Sequence, residues 1–477
     1  MDAALAVDVV VRLTRRRGDS ADAGSPRIPW ARPKYELLLL VLVAAAALTP
    51  IHVVSAQDIS RLCLTRALAE GRLTISPCVG HAVDQARFAG RAYSDKAPGM
   101  SVLALPAAEA VGLPAPSHWR FGRDVRVWAV RLLTSGLAFV LLAFAVGRVS
   151  EGISPRAGGV ALVTFALGTI AGALAGTTFG HVTAGAFCFA AFLLAWRRRH
   201  LLAGLLAGIA LTVEYETGIV ATVLALYVGR NGWRPLVRYA AGLVPGCALL
   251  AAYDWAAFGS PFHLSYRYVA NKYAAQQATG LFGISFPRWH STAQVLVGDR
   301  GLLIACPVVI MALVGLALLA REHRAEAVAC ASIFFGFLLL SAGYFLPYGG
   351  VSPGPRFIIP ALPFLAVGLG PVLARLPVVS LLLAGASLVA STTLLLTWSW
   401  EGYVGYRQTV WGELARLVTG SGSRIGNDLA SNVATLAGLS RPVAAGLVAC
   451  CTLAAFAIAT ASLRKSEPPA SGSGRGR

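Results

Sequence analysis

Lysine is almost missing from this chain. Of 41 basic residues only four are lysines, Lys34, Lys96, Lys272 and Lys465, so a lysine inside a motif stands out. Charge as a whole is also scarce. Charged residues make up 13% of the 477, against about 25% in soluble domains, which argues against a water-soluble fold. The eight cysteines form no Cys-x-x-Cys pair and no Cys/His spacing, so neither a zinc ribbon nor a thioredoxin-like centre is suggested. No glycine-rich phosphate fingerprint or Walker-type loop is present, and nothing supports a nucleotide as fuel or direct donor.

What is abundant is apolar sequence. Hydrophobic residues reach 56%, and mean hydropathy is +0.66. A span needs about 20 mainly apolar residues. Such runs recur at 37–55, 127–147, 160–176, 182–196, 201–228, 240–255, 302–320, 325–346, 357–374, 378–398 and 443–463. The sequence therefore predicts an all-α polytopic transmembrane helical bundle of roughly eleven or twelve spans, preceded by a cytoplasmic tail (1–35) and followed by a disordered one (464–477). The N-terminus does not read as a signal peptide. Arg15–Arg17 is followed by a Ser/Pro/Gly stretch and then by a run long enough to be retained as a helix.

The net charge of +19 is mostly arginine. Clusters at 15–17, 148–156, 197–200, 230–238, 321–324, 375 and 464–465 flank the runs, as the positive-inside rule requires of cytoplasmic ends. They predict membrane topology, not nucleic acid as a partner. Placing all of them inside forces the run 201–228 to cross twice or dip and return. Glu214-Tyr215-Glu216 marks its middle, where two carboxylates in lipid would be costly. The long segments 56–124, 258–300, 347–356 and 399–440 then share the outer face. Long loops tend to carry function, so the working face is expected outside.

The first of these loops holds the densest polar pattern. Asp58-Ile-Ser-Arg61 opens a helical stretch to about Glu70, stopped by Gly71. Asp58 and Arg61, three apart, share a helix face. The carboxylate is suited to accept a proton from a hydroxyl, and the guanidinium to grip a phosphate. Asp58 equally fits an N-cap. Next comes Tyr93-Ser-Asp-Lys-Ala-Pro-Gly99, in which Lys96 supplies a point charge and Asp95 is its partner or a second acid. A Pro/Gly turn with a local ion pair is the plain alternative. Arg120, Arg123, Arg126 and Arg131 run against the charge rule. A lipid phosphate is their natural counter-ion, with Glu109 or Asp124 as substitutes. Cys63 and Cys78 share the loop and are placed to pair if it faces an oxidising space.

An acidic residue after the first span, an arginine three later, a helix ending near Gly71 and a Tyr-Ser-Asp-Lys-Ala-Pro segment resemble the GT-C glycosyltransferases. Within that group the pattern is similar to family 39 and protein O-mannosyltransferase-like membrane proteins. It is also similar to the bacterial transferase that puts aminoarabinose on lipid A. The order of Phe179-Gly-His181, Glu214-Tyr215, Asp299-Arg-Gly and Pro353-Gly-Pro-Arg356 extends the likeness over residues 37–400. One departure is that no second aspartate follows Asp58.

The resemblance implies a sugar moved from a polyprenyl-phosphate donor to a hydroxyl of a glycan, lipid or protein. Transfer would invert the anomeric centre on the extracytoplasmic face of a bacterial plasma membrane. It implies Asp58 as base and Arg61 and Lys96 on the donor phosphate, to which Arg356 is added as a further grip. Tyr93, Asp95, Arg126, His181 and Glu214 are candidates for substrate binding. No cofactor is expected. No outer acidic cluster is evident in the sequence, so no metal is expected either. Tyr266, Tyr268, Tyr273, Trp289 and Trp400 serve as sugar-stacking surfaces or as an aromatic belt. The competing reading is a multi-pass transporter or flippase of a lipid-linked sugar. It predicts inverted repeats, and none is convincing here.

Overall fold

A computed structural model of the chain describes residues 28–78, 84–113, 125–350, 352–398, 409–419 and 429–463. The first apolar run gives helix α1 (Glu36–Leu48). Pro50, which has no N–H to donate, halts it. Pro50–Ile51 (β1) then pairs antiparallel with Ser431–Asn432 near the C-terminal end. The outer loop that follows is folded. It contains α2 (Ala56–Ala69), a hairpin of β2 (Ala86–Phe88) and β3 (Arg91–Tyr93), and α3 (Gly99–Val111). Helix α2 stops where expected, at Glu70 with Gly71 in the left-handed region (φ 68°).

The bundle continues with α4 (Val125–Ile153), α5 (Gly158–Leu167), α6 (Ile170–Ala175), α7 (Gly180–Trp196), α8 (His200–Val213), α9 (Gly218–Gly229) and α10 (Trp233–Phe258). The run 201–228 divides into α8 and α9 at the Tyr215–Thr217 turn. Its two ends return to one place. Trp196 lies 5.3 Å from the ring of His323, and Arg230 pairs with Glu326 at 3.2 Å. Gly204 and Gly208 of α8 lie against Gly242 and Gly246 of α10, backbone on backbone. This small-residue seam is typical of helices packed in lipid.

The chain is a polytopic membrane bundle with long extracytoplasmic loops. Among the described residues five helices are long and apolar enough to cross a membrane. They are Val125–Ile153, Trp233–Phe258, Arg324–Gly343, Pro377–Thr397 and Arg441–Leu463. The count is up to seven if each of two bent pairs is one span: Trp289–Ala305 with Val308–Leu319 (88°), and Arg356–Ala366 with Leu369–Arg375 (55°). The remaining apolar helices have 10–17 residues. Hydropathy windows read through the breaks, at Pro50, at Gly168-Thr169 and at Cys306-Pro307, that end helices early.

Polar contacts sort the two ends of the bundle as the arginine distribution predicts. At one end Arg148 pairs with Glu36, Arg197 lies over Trp30, and Arg230 pairs with Glu326. At the other the outer loops tie to one another. Ala86 bridges Val269, Ser265 donates to the Asp95 carbonyl (2.9 Å), and Ser285 N–H donates to Gly343 O (2.9 Å). The main core lies among the helices, and a second cluster lies beneath the first outer loop.

Candidate active site on the outer loops

Asp58 is the third residue of α2, and Ser55, not Asp58, is the N-cap of that helix. Ser55 and Asp58 form a capping box. Ser55 Oγ accepts from Asp58 N–H, and Asp58 Oδ2 accepts from Ser55 N–H (2.9 Å) and the Ser55 hydroxyl (2.7 Å). Its other oxygen accepts from Thr178 N–H (2.7 Å) and the Thr178 hydroxyl (2.5 Å). Arg131 of α4 completes the set at 3.2 Å. Burial alone would raise the Asp58 pKa. The Arg131 charge and the Thr178 and Ser55 hydrogen bonds outweigh it and hold the carboxyl below its ordinary value.

The expected lipid-phosphate counter-ion for Arg131 is therefore overturned. Its partner is Asp58, and its Nη1 and Nη2 also donate to the carbonyls of His52 (2.6 Å) and Val53 (3.3 Å). Arg126 is exposed on the first turn of α4, and the structure does not bring it to the site. Residues 120, 123 and 124 lie outside the described residues.

Arg61 points elsewhere. Although three residues from Asp58, its side chain turns to the α8–α9 connection, where it pairs with Glu214 at 2.6 Å and reaches Val213 O at 3.4 Å. Both partners are nearly inaccessible, at 1% and 2%. His181, at the start of α7, brings Nδ1 to 3.0 Å from the same Glu214 oxygen and 3.3 Å from Glu216. Gly180 makes this approach possible, because a Cβ there would meet Glu214 Oε1 at 2.5 Å. The structure thus assembles an acidic cluster that the linear sequence does not reveal.

Lys96 is buried between Asp95 (3.0 Å) and Asp84 (3.1 Å). Burial works against its charge, and the two carboxylates more than offset that, holding it protonated. Asp95 is thus its ion-pair partner, and Asp84 is a second one that the motif did not announce. Ser60 of α2 meets Ser94 at 2.9 Å and ties the lysine segment to the helix carrying Arg61.

Arg356 arrives from the last outer loop before the 357–374 run. Its guanidinium lies over the rings of Phe179 (5.4 Å) and Phe357 (5.7 Å), and its buried Nε makes no hydrogen bond among the described residues. Its charge is felt at Lys96, His181, Glu214 and Glu216. Gly349 (φ 79°) is needed beside it, since a Cβ there would strike Arg356 Nε at 2.8 Å.

Tyr93 is not among the polar groups. It packs on Phe258 (5.2 Å) in the cluster beneath the loop. Tyr266 stacks edge-on against Tyr215 (5.1 Å), and Tyr268 stacks on Phe258. Tyr273 lies 5.8 Å from the Phe345 ring. Trp289 is 84% exposed, as a lipid or interfacial anchor would be. Trp400 lies outside the described residues. Cys63 and Cys78 form a disulfide that joins α2 to the segment before the hairpin. Thr178 is the partner of Asp58 that sequence reading missed. The only signal for it was its place at the polar end of an apolar run.

The arrangement is thus three cations, Arg61, Lys96 and Arg356, and a carboxylate set (Asp58, Glu214, Glu216), brought from four separate stretches to one buried region on the outer side. Its cations are suited to an anionic ligand.

No protein-family model matches the chain, and no curated protein matches it. Solved structures do. The chain is similar to ArnT from Cupriavidus metallidurans in the apo state, with TM-score 0.51 and 16% identity over 90% of this chain and 76% of that one. It is similar to the same protein bound to undecaprenyl phosphate, with TM-score 0.53 and 15% identity over 90% and 75%. It is also similar to the archaeal oligosaccharyltransferase AglB from Archaeoglobus fulgidus, with TM-score 0.41 and 12% identity over 91% and 56%. The ArnT likeness at this identity is one of fold.

Proposed function

We propose that this chain is a membrane glycosyltransferase that moves a sugar from a polyprenyl-phosphate donor to an acceptor hydroxyl on the extracytoplasmic face of a bacterial plasma membrane. The observation that carries the proposal is the convergence of Arg61, Lys96 and Arg356 in one buried outer region. Arg61 and Lys96 have carboxylate partners, whereas the buried Arg356 Nε has no hydrogen-bond partner among the described residues, and a buried cation without a counter-ion is costly. That ArnT, a protein of similar fold, has been crystallised with undecaprenyl phosphate supports a lipid phosphate as that anion.

In the proposed step the acceptor oxygen attacks the anomeric carbon from the side opposite the phosphate. The anomeric C–O bond breaks, its electron pair leaves with the phosphate oxygen, and the configuration inverts. Arg61, Lys96 and Arg356 hold the charge that grows on the leaving group. Asp58 receives the acceptor proton. Of its two hydroxyl partners, Ser55 on Oδ2 and Thr178 on Oδ1, the Thr178 hydroxyl rotates away from Oδ1 while the Ser55 and Thr178 backbone donors and Arg131 stay fixed. The acceptor hydroxyl takes its place at Oδ1. Asp95 positions Lys96, while His181 and Glu214 position Arg61.

The test is reconstitution in liposomes with a labelled polyprenyl-phosphate sugar. Covalent transfer with release of polyprenyl phosphate is expected, and Arg356→Ala should abolish it. Movement of the donor or a solute across the bilayer without transfer would overturn the proposal in favour of a transporter.

A further inference from the structure

The cluster of His181, Glu214 and Glu216 has a geometry that ion pairing does not explain. We propose that these three residues bind a divalent first-row metal ion, manganese or zinc. They come from two elements, the start of α7 and the α8–α9 connection. Each offers a ligand atom, and these atoms all lie within 4.8 Å of one another. Two ligand atoms about 2.1 Å from a common ion are about 3.0 Å apart at a right angle and about 3.4 Å apart at a tetrahedral one. His181 Nδ1 lies 3.0 Å from Glu214 Oε1 and 3.3 Å from Glu216 Oε1.

Hydrogen bonding argues the same way. All three residues are deeply buried. His181 Nδ1 faces Glu214 Oε1 at 3.0 Å, while His181 Nε2 and Glu216 Oε1 make no hydrogen bond among the described residues. Buried polar atoms normally find partners, and an unpartnered buried carboxylate oxygen beside an imidazole and a second carboxylate is suited to a shared ion. An imidazole and two carboxylates, with no thiolate, favour manganese, iron or zinc over soft metals, and the imidazole disfavours magnesium and calcium. Gly180 clears the room that Glu214 needs.

Arg61 shares the Glu214 oxygen at 2.6 Å, so the ion adds positive charge beside a guanidinium. An anion must then sit between Arg61, Arg356 and the ion, and a donor phosphate is that anion. This role rests on the proposed function, whereas the site itself does not.

The test uses the purified full-length protein in detergent, stripped with a chelator and titrated with Mn²⁺, with no donor or acceptor present. A single saturable site is expected in electron paramagnetic resonance, with nitrogen coupling from one imidazole. Even outer-shell partners of metal sites cost about 10- to 100-fold in affinity when removed, so Glu216→Gln and His181→Ala should each weaken binding at least about tenfold. Elution profile and melting midpoint check that the variants fold. Wild-type protein that binds no Mn²⁺ or Zn²⁺ above a detergent blank, or bound Mn²⁺ without nitrogen coupling, overturns the site, and neither result depends on a variant. Unchanged binding by a folded Glu216→Gln variant also overturns it. Because no transfer is measured, loss of the glycosyltransferase reading would leave this result standing, and the reverse holds too.

Discussion

Replacing Asp58 by asparagine keeps the shape of the side chain and removes its charge. Arg131 then stands in a buried site with no counter-ion, 1% exposed. Breaking one side of a buried pair costs about 3–5 kcal/mol. The two carbonyls that Arg131 also contacts, at 2.6 and 3.3 Å, soften that cost. The capping box is only partly lost, since an amide oxygen still accepts from Ser55 or Thr178, and a lost cap is worth about 1 kcal/mol. A destabilisation of about 3 kcal/mol is therefore expected for Asp58→Asn, read as a lower melting midpoint in detergent. Removing the orphaned charge as well, in Asp58→Asn with Arg131→Met, should recover most of that stability, because an apolar replacement for a buried pair is often neutral. The double variant separates the two tasks of Asp58. If the carboxylate is the base, transfer stays lost although the fold is restored. Restored transfer in the double variant would refute the base assignment. A single variant as stable as wild type would refute the account of the Arg131 pair.

Other outcomes follow from the same geometry. Arg356→Lys should raise the donor KM at least about tenfold while leaving the melting midpoint near wild type, since a lysine lacks the planar fork that binds phosphate bidentately; an unchanged KM would remove Arg356 from the donor site. Gly180→Ala should push Glu214 off Arg61 and His181 and depress transfer, because its Cβ would lie 2.5 Å from Glu214 Oε1, and wild-type kinetics there would count against the cluster. Cys63→Ser with Cys78→Ser should cost about 3 kcal/mol for a loop of this length, visible as a lowered midpoint that reductant reproduces in the wild type. As pH falls, the Asp58 link should hold down to the ordinary aspartate value of 3.8 and weaken only as the pH falls further through the depressed native pKa. Acid unfolding of the wild type that begins near neutral pH and is absent in Arg131→Met would contradict it.

The membrane class, the sidedness and the break at Glu214–Glu216 were legible in the linear chain. They depend on hydropathy, on arginine placement and on the cost of carboxylates in lipid, all of which are local properties. The stop of α2 was legible for the same reason, as Gly71 acts within one turn of the end it fixes, whereas the helix starts two residues before Asp58, at Ala56, with Ser55 as its cap. Partnership was not legible. Asp58 and Arg61 are neighbours on one helix, yet one turns to Arg131 and Thr178 and the other to Glu214, 153 residues away. Helical periodicity says which side a residue is on, but not what packs against that side. The union of His181 with Glu214 and Glu216 depends on how α7 meets the end of α8, a matter of glycine seams and helix crossings that only the tertiary structure decides. Helix lengths were not legible on the same principle, because a hydropathy window cannot see the proline and glycine breaks where a helix bends.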